Sequence, residues 1–158
     1  MTDAAEEPLL APAEARALAA VLDALVPASG DGRMPGAGAL GLPHRIEDAM
    51  ARSPDLAAAV RGGLARLEAL ARERGAAGLD ALAPGPREAL VRELAAREPG
   101  FLPGLLFHLY AGYYQHPEVL AGLGLEPRPP FPKGYAIEPS DLDALLAPVR
   151  RREPLYRG

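Results

Sequence analysis

Proline and glycine mark the ends of the periodic segments in this chain, and that placement restricts the fold more than any other feature. The 158 residues include 18 prolines and 17 glycines. Proline fixes φ and lacks a backbone donor, so it opens helices well and cannot continue them. Glycine supplies the left-handed turn that ends them. Between these marks, apolar residues recur at three- and four-residue spacing, and no period-2 run of β-branched residues occurs. The sequence therefore predicts an all-α fold, a compact single-domain bundle of about six or seven short helices over residues 1–158. Residues 1–9 read as a loose arm, and residues 126–135 as an extended proline-rich segment before the C-terminal helix.

The helices can be placed individually. Pro12 suits a first helical position, with Leu18, Val21, Leu22, Leu25 and Val26 forming one apolar face until Pro27 ends the helix. A short helix follows Pro43 and turns Ile46 and Met50 inward. Ser53-Pro54-Asp55 is a good start for the longest helix: a capping serine, a first-turn proline and an acid near the positive dipole end. Leu56, Val60, Leu64, Leu67 and Leu70 give that helix its core face, and Gly75 stops it. Gly62 and Gly63 fall inside it, marking either a kink or a close contact with another helix. Pro86 opens a helix with Leu90, Val91 and Leu94 on one face, and Pro103 opens the next. Ser140 and Asp143 resemble a capping box for the last helix, whose buried face is predicted to be Leu142, Leu145, Leu146 and Val149.

Composition excludes several function classes. The chain has no cysteine, which removes disulfides, thiolate nucleophiles, iron–sulfur ligation and covalent haem attachment. Its net charge is −4, and its cations are 16 arginines and a single lysine. No basic stripe with interleaved aromatics occurs, so the sequence gives nucleic-acid binding little support. Hydrophobic residues make up 49%, yet much of that is alanine and aromatics are only 5%. Helices of this kind bury little area each, which predicts marginal stability alone and a gain on docking to something larger. The acidic start MTDAAEEPLLAPAEAR has neither the basic nor the apolar region of a signal peptide, and no run is long and apolar enough to span a bilayer. By sequence the expected compartment is the cytoplasm, or the periplasm if a partner carries the export signal.

Several motif-like features have plainer readings. Gly36-x-Gly38-x-x-Gly41 matches the dinucleotide-binding spacing, but that motif needs a strand before it and a helix opening inside it. Here a helix precedes and Pro43 follows, so no cofactor is expected in this chain. His108 and His116 lie eight residues apart, without the i, i+4 spacing or third ligand of a zinc site, and no metal is expected. His116 reads as a cap or local hydrogen-bond partner beside Pro117. Ser53 and Ser140 are better explained as caps than as nucleophiles, and no catalytic residue is assigned.

Residues 107–135 concentrate what remains: four of the five tyrosines, two of the three histidines and the only lysine. Leu106, Leu109, Tyr110 and Tyr113 recur at helical spacing, which makes core packing the plain reading of Tyr110 and Tyr113. For Tyr114 and Tyr135, core packing and contact with a partner both remain open. Pro127, Pro129, Pro130 and Pro132 forbid helix and favour extended backbone of the kind that lies along a surface.

The order Tyr110-x-Gly112-Tyr113-Tyr114-x-His116-Pro117-x-Val119, then Gly124, then Arg128-Pro129-Pro130-Phe131-Pro132-x-Gly134-Tyr135, resembles the gluconate 2-dehydrogenase subunit 3 family. Leu10-Ala11-Pro12-Ala13-Glu14 with Leu22-x-x-Leu25-Val26-Pro27-Ala28 is similar to that family's opening. Asp141 with Leu145, and Arg152-x-x-x-Tyr156-Arg157, are similar to its end. The resemblance implies a small helical subunit of a sugar, sugar-acid or polyol dehydrogenase. In such complexes a large FAD-containing subunit of the glucose-methanol-choline (GMC) type performs the oxidation. A c-type cytochrome usually takes the electrons, and the small subunit assists maturation, stability or export. The contact set this reading predicts is Tyr110, Tyr113, Tyr114, His116, Arg128, Pro130, Phe131, Pro132, Gly134 and Tyr135. Two alternatives are a stand-alone protein with a small-ligand pocket among His108, Tyr110, Tyr114 and His116, and a transient folding chaperone of the flavoprotein.

Overall fold

The computed structural model describes residues 9–128 and 140–152. Among them are seven α-helices and no strand: α1 (Pro12–Leu25), α2 (Leu42–Arg52), α3 (Pro54–Glu73), α4 (Pro84–Arg97), α5 (Leu102–Tyr113), α6 (Pro117–Gly122) and α7 (Leu142–Arg150). The all-helical expectation holds. A 3₁₀ turn, Ala37–Ala39, lies between α1 and α2. Each helix from α1 to α6 carries a proline in its first two positions, where a missing N–H costs nothing.

The chain divides into two compact units, Met1–Pro127 and Arg128–Gly158. The hydrophobic core of the described residues belongs to the first. In it, α1 packs on the 3₁₀ turn and α4, α2 packs on α3 and α5, and α3 touches α4, α1 and α5. Leu18, Val21 and Leu22 of α1, Ile46 and Met50 of α2, Val60, Leu64 and Leu67 of α3, and Leu90 and Leu94 of α4 are all buried, as their spacing predicts. Leu70 is only half-buried, and Ala71 takes the inner position at the end of α3. Leu10 is also buried, and its N–H donates to Glu47 Oε1 at 2.8 Å.

Three expectations need revision, and one alternative that the sequence left open is decided. The helix expected at Pro86 opens at Pro84, because all of its first-turn N–H groups are unpaired anyway and a second proline is tolerated there. Of the two mid-helix glycines, Gly62 has nothing near it, whereas a Cβ on Gly63 would lie 2.1 Å from the ring of Phe101. Close contact, then, is the role of Gly63. In the second unit, Asp141 rather than Ser140 caps α7, its Oδ1 accepting from Ala144 N at 3.0 Å. No residue of α7 is buried, and its apolar stripe of Leu142, Leu145, Leu146 and Val149 faces solvent. Periodicity fixes which residues share a face, not whether anything covers it.

The loop between α1 and the 3₁₀ turn is tied down at both ends. Ser29 Oγ donates to Asp31 Oδ1 at 2.5 Å and accepts from Met34 N at 2.8 Å. That hydroxyl, and then the Arg33 N–H, hold the Asp31 carboxyl below its usual range. Farther along the loop, Arg33 Nη2 reaches Gly122 O at 2.9 Å, and Pro35 O accepts from the Tyr113 hydroxyl at 2.8 Å. These bonds seat the α5–α6 corner on the loop.

Candidate functional site

The twelve residues of α5, LPGLLFHLYAGY, include no aspartate, glutamate, lysine or arginine. A helix apolar around its circumference is usually covered on all sides. Here only one side is. Leu105, Leu109, Gly112 and Tyr113 face the core, while Phe107, Tyr110 and Tyr114 are 69%, 45% and 53% exposed. Positions 107, 110 and 114 share one side of a helix, so the three rings form a stripe opposite the core. The Tyr110 and Tyr114 rings lie 6.1 Å apart, and Tyr114 meets Tyr113 edge-on at 5.3 Å. Beyond α6, Leu123 and Leu125 are also exposed.

The predicted residues separate accordingly. Tyr113 is buried, with its hydroxyl committed to Pro35, so it supports the stripe from beneath. Tyr110 is on the surface rather than in the core: the packed face is Leu105–Leu109–Tyr113, one position round from the face read in the sequence. Tyr114 is open to solvent. His116 is the N-cap of α6, where its Nδ1 accepts from Glu118 N at 3.4 Å. Arg128 is half-buried at the start of the second unit. Pro130, Phe131, Pro132, Gly134 and Tyr135 lie outside the described residues. Sequence reasoning missed Phe107, the most exposed ring among the described residues; the absence of charge along α5 was the signal for it.

Of the four residues of the alternative pocket, His108 lines a groove that the other three do not. His108 turns away from the stripe into a groove between α2 and α5, of about 450 Å³, shared with Arg45, Asp48, Arg52, Ala111 and Gly112. A larger groove of about 500 Å³ lies between α1 and α4, where Asp23 faces Arg87. Arg87 is engaged there in holding the chain before α4, through Asp80 O at 3.1 Å and Leu82 O at 2.8 Å.

The glycine-rich loop does not fit a dinucleotide. Helix α1, not a strand, precedes it. Gly38 N donates to Asp23 Oδ1 at 2.8 Å, and a Cβ on Gly38 would lie 2.4 Å from Ala19 O. Gly36 and Gly38 let the loop press onto α1, and the Gly38 amide is already committed to a carboxylate. No cluster of three metal-ligating side chains occurs among the described residues, and none of their helices is long and apolar enough to cross a membrane.

Fold and surface together define a small all-helical bundle with an aromatic stripe open to solvent. Within that class the chain belongs to the gluconate 2-dehydrogenase subunit 3 family, whose profile matches residues 12–126. The family is that of a subunit of a dehydrogenase complex, in agreement with the resemblance carried by Tyr110 to Val119. The matched span stops short of the Arg128–Tyr135 motif. Searches of curated proteins and of solved structures found no significant match.

Proposed function

We propose that this chain is a non-catalytic small subunit that binds, stabilises or helps mature an FAD-dependent dehydrogenase of the GMC type. The dehydrogenase acts on a sugar, sugar acid or polyol and carries the flavin; its electrons leave to a cytochrome or another acceptor. The observation that carries this reading is the uncovered half of α5. Phe107, Tyr110 and Tyr114 expose aromatic surface on a helix without charge, in a chain that belongs to a dehydrogenase-subunit family. Aromatic anchors of this kind dominate binding energy at protein interfaces. The poor fit of the glycine loop to a dinucleotide supports placing the flavin in the partner.

Affinity capture of the tagged chain from its native source, with a visible spectrum and mass spectrometry of what accompanies it, tests the reading. The expected result is a stoichiometric GMC-type flavoprotein with flavin absorbance. The double variant F107D/Y114D, whose side chains are exposed, should fold as well as the parent and lose that companion. A colourless chain with no companion, recovered from cells that express the flavoprotein, would overturn stable association.

A further inference from the structure

The groove between α2 and α5 carries a charge pattern unlike the rest of the bundle. Within residues 9–127, Arg45 and Arg52 are the arginines without a hydrogen-bond or ion-pair partner among the described residues. Every other arginine there has one: Arg16, Arg66, Arg72, Arg74, Arg92 and Arg97 pair with carboxylates, and the rest with backbone carbonyls. Both unpaired guanidinium groups line one groove, together with His108 and the unpaired Asp48. This is local positive charge on a chain whose net charge is −4, so general attraction of anions does not account for it.

The groove adjoins the aromatic stripe. His108, on its wall, meets the ring of Phe107 edge-on with centroids 5.2 Å apart. A molecule lying on Phe107 therefore reaches the groove as well. Along α2, Arg45 and Arg52 are seven residues apart, roughly 10.5 Å of helix. Carboxylates spaced along a polypeptide match that separation better than one small oxyanion does. Asp48, between them, repels an acid at the centre and favours acids at the two ends.

We propose that this groove receives an acidic segment of the docking partner, Arg45 and Arg52 pairing with its carboxylates while Phe107, Tyr110 and Tyr114 take its neighbouring apolar side chains. The inference rests on the docking reading given above and adds the chemistry of the partner's contact segment. Guanidinium groups suit this role because they stay charged and pair carboxylates through a planar fork of donors.

The test is the affinity of the full chain for its flavoprotein at low and at physiological ionic strength. R45E/R52E should weaken binding about tenfold or more at low salt and flatten the salt dependence, since like charges would now face each other. D48N should tighten binding, a change of opposite sign that a merely structural role would not produce. Thermal melting of each variant should match the parent. Parent-like affinity and salt response of R45E/R52E, with the parent still binding, would overturn the acidic-segment assignment and leave the docking reading standing. Saturable binding of inorganic phosphate that R45E/R52E abolishes, with partner affinity unchanged, would make the groove a small-anion site and also overturn it. Failure of the parent to bind the flavoprotein would remove the docking reading, and this inference with it.

Discussion

Tyr113 holds the corner where α5 turns toward α6. Its ring is buried beneath Tyr114, and its hydroxyl donates to Pro35 O at 2.8 Å. Burial, and secondarily the charge that Tyr114 would carry, push the Tyr113 hydroxyl above its ordinary value of 10.0. The folded state thus holds this proton more tightly than the unfolded chain does. Its contribution to stability is complete below pH 10.0 and is lost as pH rises from there through the folded value. Urea midpoints of the parent should therefore fall between pH 8 and pH 10.5, and the fall should be smaller in Y113F. At neutral pH that variant should be less stable by about 1 kcal/mol, because the Pro35 carbonyl loses its donor.

At the scale of the element, α3 offers a paired comparison. Gly62 and Gly63 are adjacent and have the same intrinsic helix preference, so each alanine replacement should gain about 1 kcal/mol if propensity alone counted. Gly62 is open, and G62A should show that gain in chemical denaturation. Gly63 is pressed by the ring of Phe101, which is itself buried in the core. G63A should instead lose about 1–3 kcal/mol, the usual result of overpacking a filled core. Helix α7 shows a different limit of local reasoning. Its leucines repeat at helical spacing, so its apolar face was legible, yet in the folded chain that face is exposed.

For the whole molecule, the same logic joins stability to assembly. Much of the core is alanine and leucine on short helices, and the uncovered aromatic and leucine stripes contribute little to the folded chain alone. Coverage of such a surface by a partner stabilises only the folded form, by RT ln(1 + [L]/Kd). On the docking reading, the melting transition of the chain should rise when the flavoprotein is added. At a hundredfold excess over Kd the gain is about 2.7 kcal/mol. The check is a concentration series followed by calorimetry, with F107D/Y114D as the variant that should show no rise.

The amino-acid order alone determined the helical class, five proline-opened helix starts to within two residues, and most of the core, because φ restriction and 3.6-residue periodicity act over a few neighbouring positions. It also carried the family, since Tyr110, Gly112, Tyr113, Tyr114, His116 and Pro117 stand close together in the chain. Coverage was not legible. That Tyr110 faces water and Tyr113 the core, that Gly63 meets Phe101, and that Arg45, Arg52 and His108 share one groove all depend on residues tens of positions apart. Periodicity defines a helix face, but only packing between distant segments decides which face is covered, and here it left the far side of α5 uncovered.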